Sequence, residues 1–299
     1  MMYYRRKILF SILEAFGGKL SRTQMQKLAF IFTRWQEKKA FDFVPYRFGC
    51  YSFQLNQDLQ ALTTRRHLEE QKTNGYTYWY KLDKTSYITQ LRQMDRELLA
   101  RLSKKFQAAN PDDLIAYTYI HYPYYAINST IAEQYLDKDQ LERVAQQRRN
   151  FDAKKLFTIG YEGISLEHYL NKLIVQDVRL LCDVRKNSYS MKYGFSKSQL
   201  SHACKQVGIT FLHLPELGIE SNKRKELKTL DNYRTLFHEY ESSTLQQNHS
   251  HLLKLASLLE RYPRIAITCF EASHTMCHRG CIANALKALP NWETPIAHL

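Results

Sequence analysis

The sequence of 299 residues predicts an α/β protein in two parts: a mainly helical N-terminal domain, then a C-terminal domain built on a parallel sheet. Three observations predict it. Apolar residues recur at helical spacing early in the chain, but from Leu156 short apolar runs alternate with amphipathic ones. The charge divides along the same line: residues 1–105 hold 20 Lys and Arg against 9 Asp and Glu, and the rest hold 23 against 20. In the C-terminal half, polar residues gather where the predicted strands end.

The elements follow in order. Ile8, Leu9, Ile12, Leu13 and Phe16 line one helical face, and Gly17-Gly18 ends that helix. Ser21 caps a second helix carrying Met25, Leu28, Phe32 and Trp35. A turn-rich stretch through Pro45 and Gly49 leads to Ser52, the cap of a third helix. Its Leu55, Leu59 and Leu62 face inward, while Gln54, Asn56, Gln57, Gln60, Thr63 and Thr64 face outward, and Arg65-Arg66 follow. Glu69 to Lys81 then alternates around Asn74-Gly75, a strong hairpin signal. Tyr76, Tyr78 and Tyr80 share one hairpin face, which is expected to be the core face. Ile88, Leu91, Leu98 and Leu102 mark a long connecting helix, broken by Asn110-Pro111-Asp112. The aromatic run from Ile120 to Tyr125 reads as a packed loop, and Gln146 to Asn150 as the linker.

Helix, helix, polar-faced helix and hairpin is the order of a winged-helix domain. The amides of Gln54, Asn56, Gln57 and Gln60 suit base edges, because an amide donates and accepts in one plane. Arg65, Arg66 and Lys72 suit phosphates. Residues 1–105 are therefore expected to form a DNA-binding module, residues 106–150 a helical connector, and residues 151–299 the α/β domain. A winged helix used for protein contact is the competing expectation, since fold does not fix function.

In the second half, strands are predicted at 156–159, 178–184, 210–214 and 264–270. Helices are predicted at 165–174, 196–207, 231–240 and 249–261, with a last one from about His278 to Leu289. Ser196 and Gln199 have the spacing of a capping box. Glu162 follows the first strand, Asp183 and Arg185 close the second, and His213 and Glu216 end the third. Cys269 and Glu271 end the fourth, before His274, Cys277, His278 and Arg279. Four strands ending in charge predict a pocket at that edge, although Asp183 with Arg185 could equally form a structural ion pair.

Composition narrows the class. An apolar share of 44% with 10 Gly and 7 Pro excludes disordered and fibrous chains. No run approaches the roughly 20 apolar residues of a membrane helix, so no membrane partner is expected. The opening Met-Met-Tyr-Tyr-Arg-Arg-Lys does not read as a signal peptide. Six cysteines without framework spacing point to a reducing, cytoplasmic setting.

Thr158-Ile159-Gly160-Tyr161-Glu162, Cys182-Asp183-Val184-Arg185, Leu214-Pro215-Glu216-Leu217-Gly218, and Cys269-Phe270-Glu271 with Cys277-His278-Arg279 resemble the bacterial family called domain of unknown function 488. The resemblance covers residues 155–290. It implies a compact α/β domain with a charged pocket, of a kind found beside nucleic-acid-related modules, and it implies no agreed activity. Where the family reads Pro-x-Ser-Arg after the Arg185 position, this chain reads Ser188-Tyr189-Ser190-Met191, without that basic contact.

Three chemistries remain open. Cys269 sits where a strand enters a loop and then a helix, as nucleophilic cysteines do in sheets resembling rhodaneses and phosphatases. Arg279, however, follows it by ten residues rather than the six of a phosphatase loop. Zinc held among Cys269, His274, Cys277, His278 and Cys281 is the less favoured alternative, because no Cys-x-x-Cys pair is present, and no cofactor is assigned. Carboxylates among Glu162, Asp183, Glu216 and Glu271 could instead divide acid and base roles on a nucleoside or flipped base. The expected function is a cytosolic DNA-associated protein whose pocket acts on a nucleic-acid component or a nucleotide-like small molecule. A ligand-sensing transcriptional regulator without catalysis and a protein-interaction scaffold are the alternatives.

Overall fold

A computed structural model describes residues 2–82, 84–220, 223 and 229–299. The chain divides into two compact units, Met1–Arg148 and Arg149–Leu299.

In the first unit, α1 (Tyr4–Ala15) buries Ile8, Leu9, Ile12 and Leu13. It ends at Gly17 and Gly18, both at positive φ, with the Gly18 amide donating back to the Leu13 carbonyl over 2.7 Å. Strand β1 (Lys19–Ser21) follows, and Ser21 exchanges side-chain and backbone hydrogen bonds with Gln24 to start α2 (Arg22–Trp35). The stretch read as turn-rich forms a short hairpin, β2 (Val44–Tyr46) and β3 (Gly49–Tyr51). Ser52 Oγ then accepts from Leu55 N to cap α3 (Phe53–Thr64). The buried Asp58 carboxylate of α3 accepts from both Arg5 Nε and Arg6 Nε, tying α3 to α1.

Strands β4 (Leu68–Thr73) and β5 (Tyr76–Lys81) form the expected hairpin. Asn74 (φ 52°) and Gly75 (φ 80°) supply its left-handed turn. Strand β5 also pairs antiparallel with β1, giving the order β1-β5-β4. The hairpin face is the reverse of the expectation: Trp79 is fully buried, whereas Tyr76 is 64% exposed and Tyr78 and Tyr80 are half-buried. One indole outweighs three phenols that can keep their hydroxyls wet. Lys19 Nζ lies over the Tyr78 and Tyr80 rings on that outer face.

The predicted long helix is a single turn at Ile88–Gln90 followed by α4 (Gln93–Phe106), with Leu91 extended between them. Asn110 starts the next helix as well as ending the last: its side chain accepts from Asp112 N and Asp113 N, and Pro111 opens α5 (Pro111–His121). Helix α6 (Lys138–Gln147) completes the unit. Phe106 and Leu114 share one core with Leu9, Phe30, Leu55 and Trp79, so this stretch packs within the first unit.

The second unit is a five-stranded sheet of order β10-β6-β9-β7-β8, parallel at every pairing. Its strands are β6 (Lys155–Gly160), β7 (Leu180–Asp183), β8 (Thr210–His213), β9 (Arg264–Cys269) and β10 (Ile296–His298). Helices α7 (Leu166–Val175), α8 (Lys197–Gln206), α9 (Leu230–Glu239), α10 (His249–Arg261) and α11 (His278–Lys287) alternate with them, and a wider turn at Tyr240–Leu245 extends α9. Leu156, Leu180, Cys182, Ile265 and Ile267 pack with Leu252, Leu255, Ile282 and Leu286 of α10 and α11. Ser196 forms no capping box: its Oγ bonds to Ser190, and Gln199 Oε1 accepts from Gly194 N.

Among the described residues, no helix is long and apolar enough to cross a membrane.

Candidate functional site

Strands β6, β7 and β9 end side by side, and their register sets the residues beyond them. Gly160 pairs with Cys269 across β6 and β9, and Asp183 pairs with Thr268 across β7 and β9. The chain after β9 folds over the end of β6, where Tyr161 N and Glu162 N both donate to Phe270 O. A Cβ on Gly160 would stand 1.8 Å from the Glu271 carbonyl oxygen, so only glycine lets the loop pass. Glu162 Oε2 accepts from Ala272 N at 2.9 Å.

Asp183 and Arg185 form the structural ion pair. Arg185 donates from Nε to Asp183 Oδ1 (2.8 Å), from Nη2 to Asp183 Oδ2 (2.6 Å) and to Phe195 O (2.9 Å), and from Nη1 to Tyr161 Oη (2.6 Å). The guanidinium is 5% exposed as a residue and bound on every side, so it locks the loop after β7 to that after β6. Tyr161 stacks on Phe195, ring centroids 4.2 Å apart, and Lys192 Nζ donates to Tyr161 O at 2.6 Å. Burial pulls the Lys192 amine below its ordinary value, with Glu162 opposing. Lys192 and Phe195 escaped the sequence reading; a lone Lys and Phe in a polar segment carry no spacing that singles them out.

Arg279 serves its own loop. Its Nη1 donates to Glu271 O and its Nη2 to Ala272 O, while its Nε is buried with no partner among the described residues. The hydrogen bonds of this guanidinium go to carbonyls, and its charge also acts to lower the nearby Cys277 thiol, against the larger effect of burial.

Around Cys269 the chemistry differs. Cys269 Sγ donates to Glu271 Oε2 at 3.2 Å and lies 3.6 Å from His278 Nδ1. Cys277 Sγ is 3.9 Å from the same nitrogen. His278 Nε2 bonds the Val184 carbonyl at 2.9 Å, which places the ring proton on Nε2 and turns the Nδ1 lone pair toward both thiols. The donor atoms of Cys269, Cys277 and His278 all lie within 4.8 Å of one another, and all three residues are buried. Burial, then the neighbouring Cys269, pushes the Cys277 thiol well above its ordinary value. His274 and Cys281, the other candidates of that sequence cluster, lie elsewhere: His274 stacks on His298 with centroids 3.5 Å apart, and Cys281 packs into the core of α10 and α11.

Cys269 and Glu271 line a cleft of about 390 Å³ together with Tyr161, Arg185, Lys186 and Asn187. Glu216 is not there; it lines a separate cleft with Glu220 and Glu239, its carboxylate 3.9 Å from His251 Nε2. The four candidate carboxylates thus have four different partners rather than forming one acid–base pair.

In the first unit, Gln60, Arg65, Arg66 and Lys72 are exposed, and Gln54, Asn56 and Gln57 are half-buried. Asn56 Oδ1 is buried without a partner among the described residues, so the amide row is only partly on the surface. Arg66 takes a left-handed φ of 57° and, with His67 N bonded to Leu62 O, turns α3 into β4.

Residues 165–286 match the model of the family described as domain of unknown function DUF488, which is the family the C-terminal half resembles. The matched stretch runs from the start of α7 into α11 and takes in the ion pair, Cys269, Glu271, Cys277, His278 and Arg279. No curated protein matches the chain.

Proposed function

We propose that this is a cytosolic, DNA-associated protein in which the first unit is a winged-helix module and the second offers its cleft to a nucleic-acid component or nucleotide-like ligand. One observation carries the reading: the order α1-β1-α2-β2-β3-α3-β4-β5, with a short β2–β3 hairpin before α3 and the β4–β5 hairpin after it pairing back onto β1. In that arrangement a third helix and a two-stranded wing are offered together, and here Arg65, Arg66 and Lys72 stand exposed on them. The basic surplus of residues 1–105 supports it, since phosphate neutralisation needs exposed Lys and Arg.

The cleft offers a base or sugar aromatic surface and an anion one cation, the exposed Lys186. Its aromatic lining includes Tyr189 and Phe270, both with exposed rings, while the Arg185 guanidinium is committed to Asp183 and Tyr161. All six cysteines are buried and none is in a disulfide, in keeping with a reducing compartment.

The test is fluorescence anisotropy of the full chain with labelled duplex DNA across a salt series. Binding that weakens steeply as salt rises supports the reading. Absence of binding at low salt overturns it and turns the search to protein partners.

A further inference from the structure

We propose that Cys269, Cys277 and His278 hold a zinc ion at the floor of the cleft, with Glu271 as the fourth donor. This inference is independent of DNA binding by the first unit. The argument begins with geometry. Zinc bonds of about 2.3 Å to sulfur and about 2.0 Å to nitrogen or oxygen give a tetrahedron with edges of about 3.3–3.8 Å. The separations of Nδ1 from the two sulfurs are 3.6 and 3.9 Å, and the Cys269 sulfur lies 3.2 Å from the Glu271 carboxylate. Side-chain adjustments of a few tenths of an ångström would bring the two sulfurs and Nδ1 around one ion. The Glu271 carboxylate, next to Cys269 but outside that three-residue group, must swing further in to take the fourth position.

The histidine supplies a second observation. Its Nε2 is anchored on the Val184 carbonyl, and a ligating imidazole characteristically gives its other ring N–H to a carbonyl or carboxylate. That anchor fixes both the tautomer and the ring plane with the lone pair aimed at the sulfurs. Any buried imidazole needs a partner for its N–H; what points to a ligand here is that the remaining lone pair faces two thiols at once.

Chemistry selects the metal. Two thiols and an imidazole are soft and borderline donors, which exclude magnesium and calcium and suit zinc. On binding, each thiol gives up its proton to solvent, and the two thiolates and one carboxylate then face a divalent charge. The donors come from the end of β9, the loop after it and the start of α11, so the ion also ties the strand to the helix. Cys269 and Glu271 line the cleft, which provides a route of entry.

The experiment uses the full chain. As purified from zinc-supplemented medium it should carry one zinc per chain by plasma mass spectrometry, with X-ray absorption at the zinc edge reporting two sulfur neighbours. After chelation, Co²⁺ titration should give the thiolate-to-cobalt charge-transfer band and the visible bands of a tetrahedral site. C277S and H278Q should weaken Co²⁺ binding more than a hundredfold. E271Q should weaken it about tenfold and keep the charge-transfer band, and C281S, in the same helix, should bind as the parent does. Circular dichroism checks that each variant is folded. If C277S or H278Q does not fold, the parent's absorption edge and cobalt spectrum decide. A parent chain that is folded yet binds neither metal overturns the proposal, as does zinc without sulfur neighbours. Loss of the ion in C281S with retention in C277S also overturns it.

Discussion

In the first unit the basic residues around the third helix and hairpin, Arg65, Arg66 and Lys72, stand in solvent, whereas in the second unit Arg185 and Arg279, at the strand ends, are 5% and 1% exposed. Both sets look alike as sequence, cations next to loops. Their surroundings make them different instruments. A solvated cation at a helix end can meet a phosphate at little desolvation cost. A guanidinium that already holds a carboxylate and carbonyls cannot leave them without exposing buried polar atoms. The comparison teaches that the second unit uses its arginines as struts. What it turns to the cleft is a thiol, a carboxylate, aromatic rings and one solvated cation, Lys186.

Changes on either side of this contrast should separate in size. Asp183→Ala leaves Arg185 buried without its carboxylate and should cost about 3–5 kcal/mol, read by urea unfolding of the full chain; a cost below 1 kcal/mol would show that Arg185 is not a strut. Gly160→Ala drives a Cβ into the Glu271 carbonyl and should cost about 1–3 kcal/mol. It should also weaken Co²⁺ binding, because the displaced loop carries Glu271. Normal stability with unchanged Co²⁺ affinity would separate the loop from the thiol cluster.

Alkaline pH sharpens the same comparison. Burial raises the thiols of Cys182, Cys204 and Cys277 in the second unit and pushes Cys281 up to about 12. The folded unit keeps these protons while the unfolded chain loses them past about pH 8.5, so stability falls as pH rises, by up to about 1.4 kcal/mol per thiol per pH unit. In the first unit Cys50 is raised but the adjacent Lys27, lowered by burial, has the opposite slope. There the unfolded chain holds the lysine proton longer, and stability grows as pH climbs toward the ordinary lysine value. Chelator-treated protein, melted across neutral to alkaline pH, should lose the second unit first; equal losses would contradict the burial account. The smallest effect belongs to Arg65→Ala and Lys72→Ala, each within about 0.5 kcal/mol of the parent in stability.

Much of this was legible in the chain. The four longer strands of the parallel sheet and the helices between them declare themselves through apolar runs, and α2 of the first unit through its cap Ser21. Strand β10 did not, because three residues on a sheet edge carry no periodicity. The β2–β3 hairpin hid for the same reason, with Pro45 inside it. The hairpin face was inverted because cross-strand pattern cannot say which alternate set meets the core; Trp79 settles it by volume. At the site, sequence placed charge at the strand ends correctly but could not tell a strut from a ligand group. That depends on which carbonyls a guanidinium reaches, as Arg279 reaches those of Glu271 and Ala272. The thiol–imidazole cluster was obscured by spacing, since Cys269 and Cys277 meet across a loop rather than along a knuckle.

The most direct test of the central claim compares the full chain with the Arg65→Ala/Arg66→Ala/Lys72→Ala variant in duplex DNA binding across salt. With three phosphate contacts removed, the slope of log affinity against log salt should fall by about 2.7, with thermal stability unchanged. An unchanged slope would contradict the account, because the exposed cations of the first unit would then not be what meets the nucleic acid.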